Sequence, residues 1–167
     1  MKNNIETERL VLNRLILTDA EFIYNLVNTA EWIKFIGDRN IKTIANSHNY
    51  IERILGNRNI VYWTVKLKDN FTSIGIITFI KRDYLDHHDI GFAFLPQYAG
   101  RGYAYEAAKV ILDNVLNSGM HKVILATTIS ENKNSIRLLI KLGFHFIKEI
   151  TPDKEKLLVY STVGLGK

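Results

Sequence analysis

The longest helical pattern in the chain comes directly after a strand-like segment and a turn that contains two glycines. Between residues 104 and 116 apolar side chains recur at spacings of three and one, which gives one face of a helix of about four turns. The preceding residues 88–95 are β-branched and aromatic, as is typical of a strand. A strand, a tight turn and a long amphipathic helix in this order predict a fold in which helices pack on a sheet. The apolar positions are Ala104, Ala107, Ala108, Ile111, Leu112, Val115 and Leu116.

The rest of the chain alternates in the same way between strand and helix patterns. Thr18 and Glu21 have the spacing of a capping box, so Thr18 is predicted to begin the first helix. Further helices are predicted around residues 50–55 and over residues 132–142. This order indicates an α/β (α+β) fold, a mixed sheet of about seven strands with helices on both faces. The strands are predicted at residues 10–14, 60–67, 73–81, 88–95, 122–127, 144–150 and 157–163, the last two as a hairpin.

Length and composition fit one folded domain over residues 1–167, since domains commonly contain ~100–150 residues. Hydrophobic residues make up 47% and charged residues 23% of the chain, which excludes a disordered or collagen-like protein. The chain contains no cysteine, and this excludes disulfides, a thiol nucleophile and a cysteine-ligated zinc. We find neither a signal peptide nor an apolar run near the ~20 residues of a membrane span, so we expect a cytoplasmic protein without a membrane partner.

The net charge of +5 is concentrated in one third of the chain. Residues 97–148 carry seven Lys or Arg and three Asp or Glu. This excess either forms a solvated helix face, since three of the cations recur every four residues, or serves an anionic ligand. No nucleic acid is expected as a partner, because the sequence has no recognition helix, zinc finger or aromatic RNA-binding motif. No metal site is expected either, because His87, His88 and Asp89 are adjacent on an alternating strand and point to opposite faces.

The turn before the long helix has the features of a phosphate-binding site. Gly100 and Gly102 tolerate positive φ and let the backbone come close to a phosphate. The helix that follows offers unpaired N–H donors and the positive end of its dipole. The sequence contains neither G-x-x-x-x-G-K-[ST] nor G-x-G-x-x-G, and for the two glycines alone a plain tight turn is the alternative. Together with the strand, Arg101 and the long helix, they predict a phosphate cradle.

Three motifs in register resemble one protein family. Residues 97–104, QYAGRGYA, match the Q/R-x-x-G-x-G/A motif with which GNAT acetyltransferases bind acyl-CoA. Residues 7–12, TERLVL, are similar to the T-x-R-L-x-L opening of the RimJ/RimL-like branch, the ribosomal-protein N-terminal acetyltransferases and their relatives. Residues 131–135 and 141–144, ENKNS and KLGF, resemble the E-N-x-x-S and K-x-G-F block of that branch. The resemblance implies the GNAT fold, with a mostly antiparallel sheet whose central strand pair splays apart.

The resemblance also implies where the co-substrate, acetyl-CoA, would bind. Its pantetheine arm would fill the gap between the strand that ends at Leu95 and the strand at residues 122–127, pairing with Phe94 and Leu95 like an added strand. Asn132 would hydrogen-bond the arm and Ser135 would lie near the sulfur, although both residue types also suit helix capping. The pyrophosphate would be held by backbone N–H groups in the segment that contains Gln97, Gly100, Arg101, Gly102, Tyr103 and Ala104.

Acetyl transfer to an amine needs an acceptor for the amine's proton and a donor for the departing thiolate. Many GNAT branches have a tyrosine donor four residues before the Gly-Phe pair, but that position here is Leu139, so the resemblance assigns the donor role to Ser135. Asp89 opens the central strand, where the branch often has glutamate, and is the candidate that orients or deprotonates the amine through water. A surface carboxylate is the alternative for Asp89. Glu106 is expected to be an exposed carboxylate in the first helical turn, without a role in the site.

These features together predict an acetyl-CoA-dependent N-acetyltransferase. Because no cysteine is present to carry the acetyl group, we expect direct transfer in a ternary complex. A protein N-terminal α-amine is the first candidate acceptor, and a small amine, either a polyamine or an amino sugar, is the second. A different class remains open, a GNAT-shaped module that binds acyl-CoA for regulation without turnover.

Overall fold

The computed structural model describes residues 3–164 of the chain, which form five α-helices and eight strands. None of the helices within this range has the length and apolar character that crossing a membrane requires. The helices are α1 (Ala20–Val27), α2 (Ala30–Phe35), α3 (Ile44–Leu55), α4 (Tyr103–Asn117) and α5 (Lys133–Lys141). The strands are β1 (Asn4–Glu6), β2 (Leu10–Arg14), β3 (Ile60–Leu67), β4 (Ser73–Ile80), β5 (Asp89–Phe94), β6 (Leu125–Thr128), β7 (His145–Ile150) and β8 (Leu157–Ser161).

All of these strands join one sheet in the order β1-β2-β3-β4-β5-β6-β8-β7. Each neighbouring pair is antiparallel except β5 and β6, which confirms the predicted mixed, mostly antiparallel sheet. No local pattern predicts β1, because a strand of three residues is too short to show alternation. The sequence pattern does not predict α2 either, a helix of six residues that begins where the Thr29 side chain accepts a hydrogen bond from the Trp32 N–H.

Helices cover both faces of the sheet, as predicted. Successive strand residues point to opposite faces, so Trp63 and Tyr62 on β3 belong to two different cores. The core around Trp63 includes Ile111 and other buried residues of α4. The core around Tyr62 includes buried residues of α1 and α3, such as Ile23 and Ile51. The helix that follows the two-glycine turn therefore lies on one face, and the first three helices lie on the other.

The two central strands separate soon after they meet. β5 and β6 run parallel and share a single pair of opposed residues, Asp89 and Leu125. The Leu125 N–H donates to the His88 carbonyl at 2.9 Å, and beyond this point the strands diverge. The predicted splayed pair is thus present, although β6 begins at Leu125 rather than at residue 122. The gap opens toward the C-terminal end of β5, where the two-glycine turn begins.

The first helix does not begin at Thr18, and the predicted capping box is wrong. Residues 17–19 form a short 3-10 turn, and α1 starts at Ala20. Asp19 is the buried polar residue here, since its Oδ2 accepts hydrogen bonds from the Ile16 N–H and the Thr64 hydroxyl. The buried Asp19 carboxylate is hydrogen-bonded to Thr64 of β3, and this contact fixes the start of the helix more strongly than an exposed threonine does.

Candidate active site

The turn between β5 and α4 has the backbone conformation that the two glycines predict. Gly100 has φ +72° and Gly102 has φ +81°, both in the left-handed region that side chains with a Cβ avoid. Gly102 is the N-cap of α4, so the helix starts immediately after it at Tyr103. The positive φ values expected at both glycines are confirmed.

A row of unused backbone donors follows this turn. Within residues 3–164, none of the N–H groups of residues 100–105 donates a hydrogen bond to another part of the chain. The first intrahelical bond of α4 starts one residue later, from the Glu106 N–H to the Gly102 carbonyl at 3.0 Å. Arg101 is exposed beside these donors, as is Gln97. Six consecutive unpaired donors at a helix N-terminus, next to a cation, suit an anion.

The register of β5 determines which peptide groups face the gap. The Leu95 N–H donates to the Ile74 carbonyl at 2.9 Å, so these two residues form a hydrogen-bonded pair. The next opposed pair, Gly75 and Phe94, is therefore not hydrogen-bonded, and the Phe94 N–H and C=O point away from β4 into the gap. Phe92 lies two residues earlier and has the same orientation. This open edge of β5 can accept an added strand of peptide-like groups.

The backbone of Leu95 is less available than the sequence analysis expects. Its N–H is used by β4, and its carbonyl accepts a hydrogen bond from the Tyr98 N–H at 3.0 Å. The backbone groups of β5 that face the gap are those of Phe92 and Phe94, and ligand pairing by Phe94 and Leu95 stays a prediction. Phe92 is absent from the predicted site, although the period of two along a strand places it on the same edge as Phe94.

Asp89 lies at the closed end of the gap and is not a surface carboxylate. Its side chain is buried, with the residue only 3% exposed. Oδ2 accepts hydrogen bonds from Arg82 Nε at 3.0 Å and from the Thr127 hydroxyl at 3.3 Å. Oδ1 is buried and has no hydrogen-bond partner in the described part of the chain. One oxygen of Asp89 is therefore fixed by the protein, and the other is left for a water or a ligand.

Two opposing effects set the pKa of Asp89. Burial disfavours the ionised carboxylate and raises its pKa above the ordinary value, and the Arg82 guanidinium opposes this shift without cancelling it. Asp89 is consequently a stronger base than an exposed aspartate, while Arg82 still favours the charged form. Arg82 is absent from the predicted site, because it precedes Asp89 by seven positions in a connecting segment and no spacing rule relates the two residues.

Asn132 and Ser135 lie across the gap, where α5 follows β6. Asn132 is the N-cap of α5, and its Oδ1 accepts a hydrogen bond from the Ser135 N–H at 3.2 Å, so the capping alternative is confirmed for Asn132. The Ser135 side chain is half-buried, and its hydroxyl has no partner among residues 3–164. The cap uses neither the Asn132 side-chain NH₂ nor the Ser135 hydroxyl. Ligand contacts of both groups remain predictions.

Glu106 is not the exposed carboxylate that the sequence analysis expects. Its side chain is 18% exposed and accepts three hydrogen bonds, from the Thr7 hydroxyl at 2.6 Å, the Arg9 N–H at 2.9 Å and Arg9 Nε at 2.7 Å. Desolvation acts to raise the pKa of Glu106, but these hydrogen bonds outweigh it and hold the pKa below its ordinary value. These contacts join residues that are almost a hundred positions apart in the sequence, so the local pattern of the helix does not predict them.

No group of three or more His, Asp and Glu side chains in the described range is arranged to hold a metal ion. His88 stacks on Phe79, with their ring centroids 4.8 Å apart, and meets His121 edge-on at 4.6 Å. Desolvation, aided by the electrostatic effect of the neighbouring His121, Lys81 and His87, lowers the pKa of His88. The histidine therefore packs as an aromatic ring beside the site.

Comparison with known proteins agrees with this geometry. A family model described as an acetyltransferase (GNAT) domain matches residues 9–145. The chain is 30% identical over 155 residues to the uncharacterized N-acetyltransferase YnaD of Bacillus subtilis (strain 168), covering 89% of this chain and 88% of YnaD. These two matches include the two-glycine turn, the open edge of β5 and the start of α5.

Solved acetyltransferase structures share the fold. The microcin C7 self-immunity acetyltransferase MccE, in complex with acetyl-CoA and AMP, has a TM-score of 0.83 at 21% identity, covering 98% of this chain and 97% of MccE. The ribosomal-protein-S5-alanine acetyltransferase from Vibrio fischeri has a TM-score of 0.80 at 20% identity, covering 98% of this chain and 97% of that enzyme. At such low identity these likenesses establish the architecture and leave the acceptor open.

Proposed function

The chain belongs to the GNAT acetyltransferases, and from that premise we propose that it acetylates the N-terminal α-amine of a protein or peptide. The family makes it an acetyl-CoA-dependent N-acetyltransferase that takes an amine as its second substrate. The α-amine is supported by the motifs at residues 7–12 and 131–135, which resemble the RimJ/RimL-like branch. The fold that the chain shares with the ribosomal-protein-S5-alanine acetyltransferase is consistent with this choice.

The residues of the gap fit acetyl-CoA, which supplies the activated acetyl group. The six free N–H groups of residues 100–105 would hold the pyrophosphate, and Arg101 adds a positive charge there. Phe92 and Phe94 would pair with the amide groups of the pantetheine arm through their open edge. The NH₂ of Asn132 is left over by the cap and would contact the same arm from the other side of the gap.

The acceptor amine would approach from the face of the sheet that α1 and α3 cover, which is opposite to the face that α4 covers. Asp89 is directly opposed to Ile80, which packs with the core of α1 and α3, so the Asp89 carboxylate lies on that face. The helix after the phosphate turn, α4, lies on the other face. The two substrates would therefore meet within the gap, which suits direct transfer.

One sheet with a core on each face also supports our proposal that residues 1–167 form a single domain.

The observation that carries the choice of an α-amine is the state of Asp89. A buried carboxylate with a raised pKa and one free oxygen is a useful base, but Arg82 limits how far its pKa rises. An α-amine titrates near ~7.7–8.0 and a lysine side chain near ~10.4, so far more of the α-amine is already neutral at pH 7. A base whose pKa rises only to this extent is better suited to the α-amine, because the lower pKa of that amine makes its ammonium form easier to deprotonate.

Ser135 would supply the proton that the leaving thiolate needs. Its hydroxyl stands free in the first turn of α5, where the helix dipole favours the developing negative charge on the oxygen. Asn132 fixes the backbone at this position through the cap, so the hydroxyl is presented from an ordered turn. Asp89 at the closed end of the gap and Ser135 beside β6 would take the two proton-transfer roles.

The pH dependence of acetyl transfer tests the role of Asp89. The ionised carboxylate is the active form, so kcat/KM should fall as the pH drops through the pKa of Asp89. This fall is the acidic limb of the pH profile, and burial of Asp89 places it above pH ~4. Arg82→Gln removes the charge that lowers this pKa, so the limb should move to higher pH. Arg82→Lys keeps the charge and should leave the limb near its wild-type position. The measurement is thiol release from acetyl-CoA with a peptide that has a free N-terminus, between about pH 4 and 9.

Asp89→Asn should remove the acidic limb altogether, and Asp83→Asn is the matched control because Asp83 is an exposed carboxylate of the same connection. The second limb, near ~8, belongs to the acceptor amine and should not move in any variant. An acidic limb that persists in Asp89→Asn, or that stays in place in Arg82→Gln, contradicts proton transfer by Asp89. Absence of thiol release with every N-terminal peptide contradicts the proposed acceptor.

A further inference from the structure

The segment before β2 is held against the start of α4 by a compact set of polar contacts. Glu106 of α4 accepts hydrogen bonds from the Thr7 hydroxyl, the Arg9 N–H and Arg9 Nε, at distances between 2.6 and 2.9 Å. Thr7 also accepts from the Leu10 N–H at 3.0 Å, which closes the turn that leads into β2. Thr7 and Arg9, the threonine and the arginine of the T-x-R opening, thus contact α4, the helix that follows the two-glycine turn.

Arg9 reaches beyond Glu106 to the turn itself. Its Nη1 donates to the Arg101 carbonyl at 3.0 Å, and its guanidinium lies 4.5 Å from the centroid of the Tyr103 ring. A Cβ placed on Gly102 would be 3.3 Å from Arg9 Nη2, so the guanidinium lies directly against that glycine. One side chain therefore contacts three consecutive residues, which are the last two of the turn and the first of α4.

The hydrogen bond to the Arg101 carbonyl has a directional consequence. In a trans peptide the C=O and the following N–H point in opposite directions, and the chain has no cis peptide bond among the residues described. Holding the Arg101 carbonyl toward Arg9 therefore aims the Gly102 N–H away from Arg9. This N–H is one of the six free donors of the turn.

We propose that Arg9 is a positioning residue for acetyl-CoA: it fixes the Arg101–Gly102 peptide so that the turn presents its N–H donors to the pyrophosphate. This proposal rests on the proposed role of the turn in binding acetyl-CoA. Arg9 acts through the peptide rather than as a phosphate ligand, because Glu106 already pairs with its guanidinium. In return, Arg9 neutralises a carboxylate in the first turn of α4, which would otherwise repel an anion bound there.

The contacts of Arg9 are poorly placed to serve overall stability. Its side chain is 43% exposed, and exposed ion pairs contribute little to the free energy of unfolding. A glycine-rich turn, in contrast, loses much conformational freedom when it is ordered, and a ligand that must order it binds more weakly. The expected effect of removing Arg9 is therefore on ligand affinity, with a small effect on the melting temperature.

Arg9→Gln should weaken binding of CoA by at least about 10-fold in calorimetric titration, the factor expected for one lost charge-assisted hydrogen bond. The catalytic preference for acetyl-CoA over S-acetylpantetheine, which lacks the pyrophosphate, should fall by the same factor. A purely structural role would reduce kcat/KM for both donors alike. Lys109→Gln is the matched control, because it removes a cation from the same helix that pairs with Asp113 and does not touch the turn.

Glu106→Gln separates positioning from direct phosphate binding. If Arg9 positions the turn, this variant should also weaken CoA binding, although it removes a negative charge near the phosphate, and the double variant should be no weaker than Arg9→Gln alone. Tighter CoA binding by Glu106→Gln overturns the proposal, and so does equal CoA affinity in wild type and Arg9→Gln. A wild-type protein that does not bind CoA at all refutes instead the role proposed for the turn.

Discussion

Replacing Gly100 or Gly102 by valine is expected to abolish acetyl-CoA binding, a loss of at least ~100-fold in affinity. Both residues have φ above +70°, which a β-branched residue resists strongly, so the turn must rearrange and its N–H donors lose their common direction. A Cβ added at Gly100 would have no atom within 4 Å, so the expected loss there comes from the backbone conformation and not from a clash within the protein. Calorimetric titration with acetyl-CoA measures the loss.

Gly119 offers a closely matched control for this substitution. It follows α4, has the same φ of +72° as Gly100, and likewise has no atom within 4 Å of the Cβ position. Gly119→Val should therefore cause similar backbone strain, seen as a lower melting temperature, and leave acetyl-CoA affinity close to wild type. Affinity that is unchanged in both Gly100→Val and Gly102→Val would show that the turn does not hold the pyrophosphate.

Ser135→Ala is expected to lower kcat by ~100-fold or more, since general acid catalysis typically contributes ~10²–10⁴-fold. Acetyl-CoA affinity should change far less, because the contact that orders this turn is made by the Ser135 backbone N–H and survives the substitution. Steady-state rates of thiol release give kcat, and titration with acetyl-CoA gives the affinity.

Ser135→Thr retains the hydroxyl and is the control for loss of the proton donor. It should keep a larger share of the wild-type kcat than Ser135→Ala does. A loss of acetyl-CoA binding in Ser135→Ala with kcat intact would assign Ser135 to binding or capping. Leu139 offers no alternative proton donor, since its side chain is aliphatic and buried.

Local patterns were sufficient for most of the fold. β3 was predicted at its observed bounds, Ile60–Leu67, because an eight-residue strand rich in β-branched and aromatic residues shows its character in the sequence. The positive φ at Gly100 and Gly102 was also predictable, since few other residues accept that conformation. The short β1 was missed because its stability comes from pairing with β2, which no local pattern reports.

The site was predictable only as far as its residues act locally. The two-glycine turn is a continuous segment, so its sequence alone is enough to predict a phosphate cradle there. The open edge at Phe92 and Phe94 depends on the register with β4, and the state of Asp89 depends on Arg82 and Thr127. These relations arise from strand pairing and long-range contacts.

Two matched peptides test the central claim most directly, one with a free N-terminus and a blocked lysine, the other with a blocked N-terminus and a free lysine. At pH 7 the neutral fraction of an α-amine exceeds that of a lysine side chain by roughly 200–400-fold, so we expect kcat/KM for the first peptide to be more than about 10-fold higher. Thiol release and mass spectrometry of the peptides measure the rate and locate the acetyl group. Faster acetylation of the lysine peptide contradicts the claim, and activity on neither peptide but on polyamines identifies a small-amine acetyltransferase instead.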